Sequence, residues 1–268
     1  MRFLYATDLH GDILKYQQLL QIAIDNKFDL IHIGADILPK SYKMYETQKE
    51  FINIYLKCFY EKCHKEGIKV LASFGNDDLY SLKSDFRKYG NLLDEYPYSC
   101  IETGILFTAY NYVPDYPFRL KTGCKLDKEG WSCPDSYFGS PLKEDKQGVF
   151  KSIKNVKEYF QEKGTIEEDL QFLDGNIVAI HTPPANVFLD VCTDHRHVGS
   201  EAVYQWILKK KPLAVLSGHI HENYAMTRKW KSYVNDTLVI QPGQGRNKTH
   251  VVSLEILNES ITSELIIL

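Results

Sequence analysis

Ser217-Gly218-His219-Ile220-His221-Glu222 sets two imidazoles two residues apart, directly after an apolar run at residues 212–216. The run reads as a short buried strand closed by a glycine. If residues 219 and 221 stay extended, the period of two aims both rings to one side. Four further clusters carry ligand-type side chains: Asp8-Leu9-His10-Gly11-Asp12, Gly34-Ala35-Asp36, Gly75-Asn76-Asp77-Asp78 and the lone His181. Taken together, Asp8, His10, Asp36, Asn76, His181, His219 and His221 offer four imidazoles, two carboxylates and one amide oxygen. This mixture suits Zn, Mn, Fe, Co or Ni better than Ca or Mg. It exceeds what one ion with open positions needs, whereas two divalent ions sharing a carboxylate would use all of it. Such a pair, about 3.5–4 Å apart, is the usual arrangement for hydrolysing phosphate esters.

Each cluster alone is weak. Gly-Asn-Asp is ordinary turn chemistry. His181 follows an apolar run and would also fit as a satisfied core histidine, and His32, inside Leu30-Ile31-His32-Ile33, reads as one. The force lies in the conjunction, because every cluster ends a strand-like run. Those runs are residues 2–7, 29–33, 69–74, 176–180 and 212–216. Helical periodicity fills the gaps at 13–26 and 46–65, the second closed by Gly67, and at 201–210, which Ser200 begins as an N-cap. Alternating strand and helix predicts α/β architecture with a parallel sheet. Ligands of such sheets bind outside the carboxyl ends of the strands, so the clusters should face one crevice. The last part of the chain, with runs at 224–227, 237–240 and 250–256, reads as antiparallel strands. Between about 111 and 164 the periodicity fades into a Pro-, Gly- and Tyr-rich insert with one helix near 152–163. No linker divides the chain, so residues 1–268 are expected to form a single domain carrying that insert.

The 268 residues are 44% hydrophobic and 25% charged, with a net charge of −3. That is the composition of an ordinary globular chain, able to bury a core without staples. No basic excess points to nucleic acid, and no apolar run is long enough to span a membrane. Six scattered cysteines without a C-x-x-C pair suggest reduced thiols and a cytoplasmic setting. Residues 1–5 run straight into a strand and do not read as a signal peptide. Nothing bears on oligomeric state.

The ordered set D-x-H-G, G-x-D, G-N, H and G-H-x-H, spanning residues 8 to 221, resembles the calcineurin-like metallophosphoesterase superfamily. Residues 197–200 and Pro242-Gly243 also resemble a microbial branch of it. The resemblance implies a four-layer α/β/β/α sandwich with two mixed central sheets and the site at its centre. It implies one metal held by Asp8, His10 and His221, a second held by Asn76, His181 and His219, and Asp36 bridging them. The implied activity is hydrolysis of a phosphomonoester or phosphodiester, a small-molecule substrate, by a hydroxide that bridges the two ions.

Two departures stand out. Alanine precedes Asp36 where the family usually has glycine, a change small enough to leave the carboxylate in place. The family's third motif usually continues Asn-His, and that histidine helps protonate the leaving group; here Asp77 follows Asn76. A carboxylate beside cations is held in its charged form and makes a poor acid. Asp77 therefore reads as a loop residue near the metals. His195, Arg196 and His197 are candidate substitutes: the guanidinium to grip a phosphate oxygen, a histidine to supply the proton. A solvated polar loop is the alternative. Asp12 is a candidate partner for the second nitrogen of a ligand imidazole. Tyr110, Tyr112, Tyr116, Phe118, Arg119 and Trp131 could stack on a nucleobase, although such clusters more often pack. Two competing functions remain: a non-catalytic metal-binding scaffold used for protein interaction, and a nuclease, which the absent basic excess disfavours.

Overall fold

The computed structural model describes residues 1–257 and 260–268. The chain opens with β1 (Arg2–Ala6), α1 (Ile13–Asp25), β2 (Leu30–Ile33), α2 (Met44–Phe51), α3 (Lys57–Lys65) and β3 (Lys69–Ala72). Ile52–Leu56, between α2 and α3, is π-helical, so the helix read at 46–65 is one rod with a local bulge. Next come α4 (Lys83–Phe86), β4 (Tyr98–Ser99) and β5 (Leu106–Tyr110). Residues 111–164 hold β6 (Val113–Pro114), β7 (Cys124–Lys125), β8 (Leu142–Glu144), β9 (Phe150–Ser152) and α5 (Val156–Lys163). The remainder is α6 (Ile166–Leu170), β10 (Ile177–Ile180), α7 (Glu201–Lys210), β11 (Ala214–Leu216), α8 (Asn223–Thr227), β12 (Lys231–Val234), β13 (Thr237–Ile240), β14 (His250–Leu257) and β15 (Ser260–Ile267).

Two mixed sheets stack on each other. One runs β15-β14-β1-β2-β3 and the other β12-β13-β11-β10-β5-β4. β1, β2 and β3 are parallel, and β14 and β15 run antiparallel beside them. In the second sheet β5, β10, β11 and β13 are parallel, with antiparallel strands at both edges.

The residue period of two sorts side chains between layers. Phe3 and Tyr5 enter the core between the sheets, with Phe107, Ala179 and Leu216 from the facing sheet. Leu4 and Ala6, one residue out of phase, pack under the first helices with Tyr16, Phe51 and Phe59. On the far side Val178, Ile180 and Val215 pack against Val203, Trp206 and Ile207 of α7. These three cores separate four layers, α/β/β/α. α7 begins where the sequence places its cap: the Ser200 hydroxyl accepts the Val203 N–H.

Three local expectations fail. Residues 237–240, read as an antiparallel strand, form β13, which continues the parallel sheet beside β11 and is antiparallel only to β12. Residues 224–227 form the helix α8 rather than a strand. Four residues of alternation cannot decide between the two, and tertiary bonds do. The Asn223 amide reaches Lys229 O and Val191 N, and the Thr227 hydroxyl donates to Asn223 O. His219 and His221 also lie beyond the strand, which ends at Leu216, and His219 has a left-handed backbone at φ 70°. The pleat does not aim the two rings together; a turn sends them to different neighbours.

Candidate metal centre

The loops leaving the carboxyl ends of the strands are tied to one another through the backbone. Asp8 N donates to Ala35 O, His10 N to Asp36 O and Gly11 N to Ile37 O, joining the loops after β1 and β2. The buried Asp78 carboxylate accepts N–H groups from Ile37, Leu38 and Gly75, tying in the loop after β3. Gly218 N donates to His181 O, and His219 N donates to both oxygens of Asp8 at 3.0 and 3.1 Å.

Glycines permit the closest approaches. A Cβ on Gly75 would sit 2.1 Å from Asp36 Oδ1, and one on Gly218 would sit 2.4 Å from Asp8 Oδ2. Asp8, His10, Asp36 and His219 all take positive φ, between 45° and 70°. Such conformations cost roughly 1–3 kcal/mol each and gather where the fold forces side chains toward a function.

All seven expected residues meet here. Donor atoms of Asp8, His10, Asp36 and His221 lie within 4.8 Å of one another, and so do those of Asp36, His181 and His219. Asp36 belongs to both groups. Asn76 completes the second: its Oδ1 is 3.1 Å from His181 Nε2. His10 Nε2 and His221 Nε2 are 3.1 Å apart, His221 Nε2 is 3.4 Å from Asp8 Oδ1, and His181 Nε2 is 3.4 Å from Asp36 Oδ2.

The charges in this small volume interact strongly. Burial pushes the Asp36 carboxyl up, but His181 and His10 outweigh it and hold it well below the usual carboxylate range. Asp8 is held down in the same way by His221 and His181. Burial pulls the imidazoles down; in His181 the Asp36 charge reverses this and lifts it to about 9, and Asp8 lifts His221. His10 and His219 follow burial, to about 4 and about 3. Two buried carboxylates thus raise the proton affinity of two imidazoles, His181 and His221, while burial keeps His10 and His219 neutral. Cations placed between the donors would do the work of those protons, so the donor set fits divalent transition metals.

A model of the calcineurin-like phosphoesterases matches residues 1–223. The chain belongs to this family. Its members are metal-dependent hydrolases of phosphoric esters, and the donor cluster lies where the matched segment converges. Solved structures share the fold over nearly the whole chain. The protein TT1561 of Thermus thermophilus is 14% identical, with a TM-score of 0.54, covering 98% of this chain and 97% of that one. A dimetal phosphatase from Danio rerio is 12% identical, with a TM-score of 0.53, covering 100% and 98%. A third structure is 17% identical, with a TM-score of 0.58, covering 98% of each chain. At these identities the likeness is one of fold. No curated protein sequence matches the chain.

The other candidates of this calcineurin-like phosphoesterase lie in less active positions. Asp77 N donates to Asp36 Oδ1, and the Asp77 carboxylate holds the Lys40 ammonium at 2.5 Å. Arg196 is bound by Asp194 and Asp135, which leaves its fork occupied. His197 Nδ1 is 2.9 Å from the buried Asp190 carboxylate, and His195 sits on an exposed turn. Among the described residues neither histidine makes a hydrogen bond or ring contact to the cluster. Asp12 caps α1 through Leu14 and Lys15 N–H instead of serving an imidazole. Of the aromatic residues at 110–131, Phe118 reaches the site, its ring 6.0 Å from that of His219. Two residues escaped the sequence reading. Asp78 carried a signal in the doubled aspartate after Asn76; Lys40 carried none.

Proposed function

We propose that the chain hydrolyses a small phosphoester with two divalent transition-metal ions. Asp8, His10 and His221 hold one ion, Asn76, His181 and His219 hold the other, and Asp36 serves both. The observation that carries this reading is that Asp36 is common to two groups of converging donors. When bound, such ions polarise a phosphoryl oxygen and ease the loss of a proton from water near neutral pH.

The chain's own residues do the positioning. His219 N–H orients the Asp8 carboxylate, Asp77 N–H orients Asp36, and Asp78 pins the loops that carry Asp36 and Asn76. The Lys40 ammonium sits on Asp77 at the edge of the donor cluster, which favours negative charge arriving there. The six cysteines are all free thiols, which supports a reducing, cytoplasmic setting. Among the described residues no helix is long and apolar enough to cross a membrane.

The test is metal analysis of the purified protein, run beside assays of an aryl phosphomonoester and a bis-aryl phosphodiester. Two equivalents of metal and one dominant activity are expected. One equivalent or none, with activity intact, would remove the two-ion reading.

A further inference from the structure

The donor cluster opens into a cavity of about 990 Å³, with Asp8, His10 and His221 in its wall. This is at the upper end of small-molecule sites, far more space than one phosphoryl group fills. The same cavity is lined by four cations from three separate segments: Lys15 on α1, Arg228 just past α8, and Arg246 and Lys248 on the loop before β14. Lys15 is 8% exposed, and its ammonium donates to Gly245 O at 3.0 Å. Arg228, Arg246 and Lys248 are exposed and have no carboxylate partner among the described residues.

Two acidic residues beyond the metal-ligand set also line the cavity. Asp12 is engaged by Leu14 and Lys15 N–H, and Glu222 by Thr193 N–H. They offset part of the charge and leave both guanidinium groups without a carboxylate among the described residues, Arg228 lying over the Tyr224 ring at 5.8 Å. Cations gathered at a concave surface focus field on an anion inside it.

We propose that this cationic wall binds a second phosphate of the substrate, so that the preferred substrates carry two phosphoryl groups on one small molecule. The inference rests on the phosphoesterase reading for the first of those groups. Hydrolysis adds water across one P–O bond: phosphorus gains the water oxygen, the leaving oxygen gains a proton, and the departing fragment keeps the second phosphate.

The test separates binding from turnover. Propane-1,3-diphosphonate and propylphosphonate, which resist hydrolysis, are titrated calorimetrically into the protein as purified and after manganese loading. The same titrations are run on the triple variant Arg228→Gln, Arg246→Gln, Lys248→Gln. Because exposed cation–anion pairs contribute modestly each, the diphosphonate is expected to bind about tenfold more tightly than the monophosphonate. The variant is expected to lose most of that margin. In parallel, kcat/KM is compared for propane-1,3-diol bisphosphate and propyl phosphate. A binding preference that depends on the three cations supports the inference even where neither alkyl ester is turned over, because the phosphoesterase reading stands or falls separately, on the aryl phosphoester assays. Equal affinity for both ligands, or a preference unchanged in the variant, overturns it. So does a short single-stranded oligonucleotide that displaces the diphosphonate at lower concentration, which would make the wall a nucleic-acid surface.

Discussion

His10 and His221 turn their Nε2 atoms toward each other at 3.1 Å, each near a buried carboxylate. One proton can bridge such a pair, and a metal ion between them satisfies both. His181 makes the same point from the other group, because Asp36 overcomes burial and lifts it to about 9. A proton must leave before such a nitrogen can bind a metal. Metal uptake at neutral pH is therefore expected to release protons, and affinity to rise with pH until His181 is deprotonated. Each competing proton weakens binding about tenfold per pH unit below that point. Calorimetry of zinc or manganese binding in buffers of different ionisation enthalpy reads the count directly. Binding with no proton exchange would mean that these imidazoles are not ligands.

Asp36 serves both groups of donors, whereas His219 serves one. Asp36→Asn keeps the shape and removes the shared charge; His219→Ala removes one nitrogen. Both are expected to lower kcat by about a thousandfold or more, roughly 4 kcal/mol of barrier. Asp36→Asn is expected to cost both metal equivalents and His219→Ala one, with the far-UV circular dichroism unchanged. Full activity in either variant would break the assignment.

Much of this arrangement was legible because it is local. The apolar, β-rich run at residues 2–7 marks a strand, although which of its side chains faces which core shows only in the fold. Ser200 announces α7 by its side-chain chemistry. The donor clusters stand out because each follows such a strand. What was hidden depends on contacts distant in sequence. The doubled aspartate after Asn76 does not say that Asp78 would bond to N–H groups 40 and 41 residues away. Arg196 looked available until Asp135, 61 residues away, occupied it. The turn at His219 is set by Gly218 packing onto Thr7 and Asp8 from the other end of the chain, so no pattern within 217–222 could give it.

Asp78 holds three N–H groups of two ligand-bearing loops. Asp78→Asn puts an amide where some of those donors need an acceptor. Burial and the Asp36 charge raise the Asp78 carboxyl to about 8, so at neutral pH these bonds are not fully charge-assisted; at about 1 kcal/mol for each hydrogen bond, a net loss of about 1–3 kcal/mol is expected. A urea midpoint lowered in proportion, together with weaker metal binding, would bear this out. An unchanged midpoint would show that the loops are held by something else.

Asp77 is tied by Lys40 at 2.5 Å and by the Asn76 amide at 3.2 Å. Burial and the Asp36 charge raise its carboxyl to about 6, but cations bound nearby would favour the charged form and lower it again. A group held ionised has no proton to give a departing oxygen. Substrates with good leaving groups are therefore expected to be strongly preferred. The measurement is log kcat/KM across aryl and alkyl phosphoesters of matched size, where a steep dependence on leaving-group pKa is expected. A flat profile would mean that some residue supplies the acid.

His32 tests the packing between the sheets. Its ring lies edge-on to Tyr5 at 5.4 Å, neither nitrogen has a partner among the described residues, and burial lowers it to about 3. In the unfolded chain it titrates near 6.5, so between pH 6.5 and 3 the unfolded state binds more protons. Stability contributed by the neutral ring is complete above pH 6.5 and drains away as the pH falls toward 3. The slope for one group is about 1.4 kcal/mol per pH unit, or about 2 kcal/mol by pH 5. His32→Leu fills a similar volume without a titrating nitrogen. It is expected to be more stable at pH 7 by about 1–3 kcal/mol, since it removes unsatisfied polar atoms, and to lose less on acidification. His10 and His219 titrate in both proteins and cancel in the difference. Chemical denaturation of the two proteins from pH 7.5 to 4.5 gives that difference, and parallel curves would show that His32 finds a proton-accepting partner in the folded protein.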